Sequence, residues 1–260
     1  MEIRKGDSRA VILEKGAYLF SLTLKGKEVL LQGKERQTRG GMALLIPFAN
    51  RIKGGKYTWN GKEYSLPVNA EGNAIHGLVM DKIWKIVKLN DTSVSLSLSL
   101  DSEGYPTSLE VNTLYDIDFG SILVRLQIIN IGNSNAPLTV GFHPYFIVKG
   151  LWNLTPNKGK KCVNRNKIPT GEMIEEEVDG TKQYDDCFYM PVEELVLSSE
   201  YSEVKINKKN LDYVQIYTTQ NAVAVEPMSG APDAYHNGIG LKVIQPGEKV
   251  NYEVKFELLR

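Results

Sequence analysis

Val250-Asn251-Tyr252-Glu253-Val254-Lys255-Phe256-Glu257-Leu258 alternates apolar and polar side chains without a break. In an extended chain successive side chains point to opposite faces, so this stretch reads as a strand with its odd-placed apolar set on a core and its charged set in water. The same period returns in Ser93 to Leu100, where Val94, Leu96, Leu98 and Leu100 share one face, and in Ile122 to Ile128. Turn signals separate such segments. Asn60-Gly61 between Tyr57-Thr58-Trp59 and Lys62-Glu63-Tyr64 is the preferred pair for a two-residue hairpin, which needs positive φ at both positions, and Lys25-Gly26-Lys27 is a weaker version. No apolar stripe of helical period runs for 12 residues or more, so helices are expected to be few and short. The pattern predicts an all-β chain folded as one large antiparallel β-sandwich, a single domain over residues 1–260. Residues 150–177, rich in Asn, Lys, Thr, Pro and Gly, are the least regular stretch and are expected to form a surface excursion.

Composition narrows the function. Hydrophobic residues at 42% and charged residues at 24% are ordinary for a globular protein and argue against disorder and against a membrane protein. Lys plus Arg equals Asp plus Glu, 31 each, so no net field draws the chain to nucleic acid or to an anionic membrane. The expected partner is a small molecule, and a monomer or homodimer is expected. The N-terminal Met1-Glu2-Ile3-Arg4-Lys5-Gly6-Asp7 has no apolar run of signal-peptide length, which reads as cytoplasmic. Cys162 and Cys187 lack metal-ligand spacing and are expected to be reduced, buried thiols.

The chemistry-bearing residues stand in tight motifs. His143, in Gly141-Phe142-His143-Pro144-Tyr145-Phe146, precedes a proline that biases it toward extended backbone, and it is expected at a strand end beside a cleft. It is either a hydrogen-bonded structural residue or a group that gives and takes a proton near neutrality. His76 follows the polar loop Asn69-Ala70-Glu71-Gly72-Asn73-Ala74-Ile75 and precedes Gly77, which either supplies a turn or leaves room for a ligand. His236, in Ala234-Tyr235-His236-Asn237-Gly238, reads as a turn residue.

Glu226 ends the apolar strand pattern Ala222-Val223-Ala224-Val225, where a carboxylate is costly unless paired or used. Ala222, Ala224 and Glu226 share one face, a geometry that resembles space kept for a ligand. Arg51, flanked by apolar residues in Ile46-Pro47-Phe48-Ala49-Asn50-Arg51-Ile52, needs several acceptors, supplied by a structural salt bridge or by a ligand. Asp185 and Asp186 precede Cys187-Phe188, and either one can accept sugar-like hydroxyls. Trp59, Trp84, Tyr105, Phe142 and Tyr145 are candidates for packing on a sugar ring or for the core.

Taken in order, Asn50-Arg51-Ile52, the segment from Gly55 to Leu66, Asn69, His76-Gly77, Trp84, His143-Pro144-Tyr145-Phe146, Asp185-Asp186-Cys187-Phe188, Glu226 and Pro246-Gly247-Glu248 resemble the aldose 1-epimerase (mutarotase) family. The resemblance implies a galactose-mutarotase-like sandwich with an open cleft on one sheet, no metal or organic cofactor, and interconversion of the α and β anomers of a free aldose, a monosaccharide. By motif, Glu226 resembles the catalytic base, His143 the catalytic acid and His76 the second active-site histidine. Arg51, with Asn50 and Tyr145 nearby, resembles the arginine that contacts substrate oxygens, and Asp185 matches the substrate-binding aspartate, with Asp186 one residue away.

Two departures bear on the sugar. Val79-Met80 stand where many relatives carry Arg or another polar residue, so part of the sugar-facing wall is expected to be more apolar. The segment Pro227-Met228-Ser229-Gly230-Ala231-Pro232-Asp233 resembles the shorter, divergent branch of the family. The acid and base assignment requires ionised Glu226 and protonated His143, whose mutual attraction is expected to hold both forms. Three rivals remain. A hexose-6-phosphate 1-epimerase needs a basic pocket, and few arginines lie near the motifs, although Lys53, Lys56 and Lys82 keep it open. A non-catalytic carbohydrate-binding protein needs aromatic platforms without the acid and base. A glycoside hydrolase needs two carboxylates flanking the bond.

Overall fold

A computed structural model describes residues 1–260, and two antiparallel sheets account for most of it. The larger, of 11 strands, runs in the order Glu2–Lys5, Ser8–Leu13, Tyr18–Leu24, Met42–Leu45, Gly141–Ile147, Ala222–Met228, Tyr213–Thr218, Asp185–Tyr189, Lys158–Arg165 and Ile168–Glu177, with Lys27–Glu28 appended to Tyr18–Leu24. The second, of 8 strands, runs Lys85–Leu89, Ser93–Leu100, Leu109–Asp118, Ser121–Asn130, Lys249–Leu258, Glu203–Lys209, Glu194–Ser199 and Trp152–Thr155. Three two-stranded ribbons complete it, among them Lys56–Trp59 with Lys62–Ser65 across the Asn60-Gly61 turn. Both turn residues have positive φ, as the hairpin requires. The sole α-helix is Ala234–Asn237.

The alternating strands behave as their period demands. In Lys249–Leu258 the side chains of Tyr252, Val254, Phe256 and Leu258 are buried between the sheets while Val250 is half-buried. Phe256 meets Phe146 of the larger sheet edge-on, ring centroids 5.1 Å apart, at the heart of a core of 59 buried residues. Burying such rings is worth about 1.5–3 kcal/mol each, which is what holds the sheets face to face.

Two strands at the middle of the larger sheet differ. Gly141–Ile147 and Ala222–Met228 are covered on both faces. Phe142 and Phe146 enter the core from one side of their strand, so His143 and Tyr145 point to the other. His143 therefore lies inside a central strand rather than at a strand end.

The expected surface excursion at residues 150–177 is instead part of both sheets. Trp152–Thr155 edges the smaller sheet, and Lys158–Arg165 with Ile168–Glu177 form a hairpin at the edge of the larger one. Its outer strand is mostly solvated, so apolar alternation is faint, and charge holds the register instead. Lys158 faces Glu177 and Lys160 faces Glu175 as direct cross-strand partners, with Nζ to Oε1 distances of 3.4 and 3.8 Å. Charged edges of this kind also discourage pairing with another chain.

Candidate active site

The site is written in strand register. Gly141 pairs with Met228 and Tyr145 with Ala224, which sets position 143 opposite position 226. Glu226 pairs with Gln215 on the next strand, and Gln215 with Cys187 on the one after. One step along, Tyr145, Ala224, Tyr217 and Asp185 form a second row. Side chains of both rows stand on the face turned away from the core, and His143, Glu226, Gln215, Tyr145, Tyr217 and Asp185 all line one cleft.

Loops close the cleft. Asn50 and Arg51 enter from the segment after Met42–Leu45, His76 from the short ribbon that pairs Arg51 with Ile75, and Glu71 from the loop before it. His76 has φ 65°, the left-handed region, and its N–H donates to the Asn50 carbonyl at 2.8 Å. Gly77 follows at φ 77°, packed so closely on the Ile46 backbone that a Cβ would collide with the Ile46 carbonyl. The glycine thus supplies a turn against protein, not room for a ligand.

At the base of the cleft, His143 Nε2 lies 3.4 Å from Glu226 Oε1, with both side chains nearly fully buried. The His76 ring stands edge-on to that of His143 at 5.2 Å, and Tyr145 stacks on the other side at 4.9 Å and 18°. Tyr145 is fixed by its hydroxyl, which donates to the Thr38 carbonyl at 2.7 Å. Glu226 Oε2, His143 Nδ1 and His76 Nδ1 are buried without a partner in the protein. Gln215 Oε1 is a fourth; buried polar atoms are rarely left so, and four in one cleft mark where hydroxyl groups would be met.

Burial decides the protonation of this pair. It pushes His143 down to about 3 and Glu226 well above 4.5, the latter helped by the Asp185 charge and opposed by Arg51. His76 is held well below 6.5 first by burial and then by its neighbours His143, Arg51, Arg36 and Arg39, whose positive charge would oppose its own. The expected ionised pair is therefore not the resting form. Desolvation outweighs the attraction, and when the pair holds one proton it sits on Glu226 beside a neutral His143.

A chain of ion pairs runs along one flank. Arg51 Nε is 3.0 Å from Glu71 Oε2, Lys167 Nζ is 3.2 Å from Glu71 Oε1 and 3.1 Å from Asp185 Oδ2, and Gln215 Nε2 donates to Asp185 Oδ1 at 2.9 Å. Arg51 also donates to Asn50 Oδ1 at 3.2 Å, so this buried guanidinium has both a salt bridge and a place in the cleft. The hydrogen bond from Arg51 holds Glu71 below the usual carboxylate range, and that to Asp185 raises Lys167. Asp185 faces the cleft. Asp186 points elsewhere, toward Asn164 and Lys161.

The structure decides several sequence expectations, correcting some of them. Trp84, Tyr105 and Phe142 are core residues, and Trp59 donates its indole N–H to Asn135, so of the five aromatics only Tyr145 walls the cleft. The space above Ala222 and Ala224 is filled by Tyr145 and Tyr217, which the small side chains admit. Val79 is buried in the core, and Met80 borders an adjoining hollow, so neither makes the cleft wall apolar. That wall is basic: Arg36 and Arg39 line it from a loop outside every motif. His236 is outside the cleft, its Nδ1 2.6 Å from Asp233 Oδ1, in a turn whose Asp233 N–H donates to the Arg51 carbonyl. Cys162 and Cys187 are buried free thiols.

Gln215, Tyr217, Glu71, Lys167, Arg36 and Arg39 were not singled out by sequence reasoning. Only Gln215 carried a signal, a polar residue between Val214 and Ile216 in a strand pattern. A roomier groove of about 530 Å³ on the smaller sheet, beside Leu114, Gln127 and Asn251, holds the exposed pair Arg125 and Glu253 and no histidine. Volume alone does not mark the site. The buried acid and base do.

An antiparallel β-sandwich bearing a cleft with a buried histidine and glutamate in register, ringed by sugar-compatible polar groups, is the class these observations define. The chain belongs to the aldose 1-epimerase family, whose model matches residues 1–257. Among curated proteins it is 30% identical to the uncharacterized protein YihR of Escherichia coli K12, over 95% of this chain and 89% of that one. Galactose mutarotase of Rattus norvegicus is 36% identical over 42% of this chain and 32% of its own length. Among solved structures, a putative aldose 1-epimerase of Escherichia coli K12 superposes with a TM-score of 0.87 at 22% identity, covering 99% of this chain and 97% of the other. A GalM/aldose epimerase homologue from C. elegans gives 0.84 at 18%, over 99% and 98%. No helix is long and apolar enough to cross a membrane.

Proposed function

We propose that this protein is an aldose 1-epimerase, interconverting the α and β anomers of a monosaccharide by opening and reclosing its ring. The observation that carries the reading is the His143 and Glu226 pair, 3.4 Å apart at the base of a polar cleft. A cyclic aldose is a hemiacetal. Ring opening removes a proton from the anomeric hydroxyl and adds one to the ring oxygen, so one base and one acid suffice and no nucleophile is needed.

Glu226 takes the anomeric proton and His143 donates to the ring oxygen as the bond from C1 to that oxygen breaks. The resulting pair, protonated Glu226 and neutral His143, is the form that burial favours in the resting protein. Reclosure runs the transfers backwards after rotation about C1–C2, with Glu226 returning its proton to the carbonyl oxygen and His143 removing one from the ring-forming hydroxyl. Each cycle thus passes a single proton count between two arrangements. Binding must shift the proton from Glu226 to His143 for the opening step, and Arg51, whose charge favours ionised Glu226, assists. Asp185, Asn50, Arg51 and His76 hold hydroxyl groups, and positioning the ring between acid and base adds to their effect.

The test is the relaxation of freshly dissolved α-glucose, α-galactose and pentoses, followed by polarimetry. Acceleration over buffer is expected for at least one sugar, with Glu226→Gln lowering kcat by about 10²–10⁴. Rates equal to buffer across sugars both neutral and charged would end the mutarotase reading.

A further inference from the structure

The loop before Met42–Leu45 holds two arginines whose charge is uncompensated. Gln37–Arg39 is a single 3₁₀ turn, and its anchors are internal. Gln37 Nε2 donates to the Lys15 carbonyl at 3.0 Å and the Met80 carbonyl at 2.8 Å, the Tyr145 hydroxyl to Thr38, and the Tyr18 hydroxyl to the Gly40 carbonyl at 2.6 Å. Arg36, extended before the turn, and Arg39, its last residue, are exposed, while Gln37 and Thr38 between them are buried. Both guanidinium groups line the cleft.

Neither makes an ion pair, although every other cation in the cleft does. Arg51 is answered by Glu71, and Lys167 by Glu71 and Asp185. Arg39 Nη1 instead donates to the Tyr217 hydroxyl at 3.2 Å, a neutral partner that aims it without neutralising it. Glu35 and Asp81 border the adjoining hollow with Arg36 and Lys15 and pair with neither. Arg36 thus borders the flank of the cleft that faces the adjoining hollow, and Arg39 the rim beside Tyr217, and neither joins the Arg51, Lys167 and Asp185 chain. Two exposed guanidinium groups without a carboxylate partner leave the rim of the cleft positive, and the guanidinium fork matches tetrahedral and carboxylate oxyanions in geometry. The hydroxyl groups of a neutral aldose give no reason for such an arrangement.

We infer that the substrate is an aldose bearing an anionic substituent, such as a phosphate, sulfate or carboxylate, at a carbon remote from the anomeric centre, and that Arg36 and Arg39 hold that group. The inference rests on the mutarotase reading, since it names the sugar class for the same cleft. The full chain is assayed by NMR exchange between anomers of glucose, glucose 6-phosphate, glucose 6-sulfate and glucuronate, each relative to its own uncatalysed rate. At least one anionic sugar is expected to exceed glucose in kcat/KM by about tenfold or more, and the one preferred identifies the anion. Arg36→Ala and Arg39→Ala, both at exposed positions, are each expected to cut that preference about tenfold. The KM of the preferred anion should also rise with added salt, while that of glucose stays level.

Glucose matching or exceeding all three anions would overturn the inference and leave the mutarotase reading in place, as would a preference that survives both variants. Should no sugar be accelerated, the mutarotase reading falls. Calorimetric binding of the same four sugars then decides the inference alone: tighter binding of an anionic sugar, lost in the variants, upholds it, and indifference to charge refutes it.

Discussion

Replacing one member of the His143 and Glu226 pair should expose a pH dependence of stability that the intact pair conceals. Folded, His143 stays neutral down to about 3 and Glu226 stays protonated well above 4.5, both because they are buried. From pH 4.5 up to the raised pKa of Glu226 the folded pair therefore carries one proton, on the glutamate. Between pH 4.5 and 6.5 the unfolded pair also carries one, on the histidine. Equal counts mean that the pair adds no slope to stability where the two ranges overlap.

Glu226→Gln removes the compensation. His143 alone then has a depressed folded pKa, so its contribution is present above 6.5 and is lost as pH falls toward about 3, at about 1.4 kcal/mol per pH unit. His143→Gln does the opposite. Glu226 alone has a raised folded pKa, so its contribution is full below 4.5 and is lost as pH rises toward that raised value. Between pH 6.5 and 4.5 Glu226→Gln should lose about 2 kcal/mol through His143, allowing for the half-slope near 6.5, while His143→Gln changes with the opposite sign. Urea unfolding at closely spaced pH measures this directly, and contributions from the surface carboxylates are common to both variants and cancel. Parallel curves would refute the reasoning, because they would mean that both side chains keep ordinary solvated behaviour. The ¹⁵N shifts of the His143 ring in the intact protein report in addition whether it rests neutral.

The rate should follow the same proton count: kcat/KM is expected to stay level through pH 6.5, where a solvated histidine titrates, to decline on the acid side toward about 3, and to decline on the alkaline side as Glu226 loses its proton. An inflection near 6.5 that disappears in His143→Gln would contradict this. Lys167→Ala removes the link between Glu71 and Asp185, and because that lysine is half exposed the cost in stability should be within about 0.5 kcal/mol, with the loss falling on KM, about two- to fivefold. Phe256→Ala takes away the ring that meets Phe146 between the sheets and should cost about 3–5 kcal/mol, read as a lower urea midpoint.

Much of the architecture was legible because it rests on a local rule. Alternation in Val250 to Leu258 follows from one buried face, and positive φ at Asn60 and Gly61 follows from hairpin geometry. The edge hairpin from Lys158 to Glu177 escaped that rule, since charge pairs hold its register and little of it is buried. The cleft divides in the same way. His143, Glu226, Asp185 and Arg51 stood out as polar or charged residues in apolar or strand-like settings. That positions 143 and 226 face one another depends on the pairing of strands far apart in sequence, which no local pattern encodes. Arg36, Arg39, Glu71 and Lys167 sit on loops and a turn, where charge is commonplace and periodicity absent, so only the folded chain distinguishes them from solvated residues.

The strand register that sets His143 opposite Glu226 has a consequence for how such a protein changes over time. His143 and Glu226 are locked into the two central strands of an 11-stranded sheet, where a one-residue slip would turn every side chain to the wrong face. Arg36, Arg39, Glu71 and Lys167 ride on connections that bear little of that constraint. Selection can therefore exchange the sugar's outer groups by editing loops while the reaction itself is inherited intact, and relatives sharing the sheet rows need share no substrate.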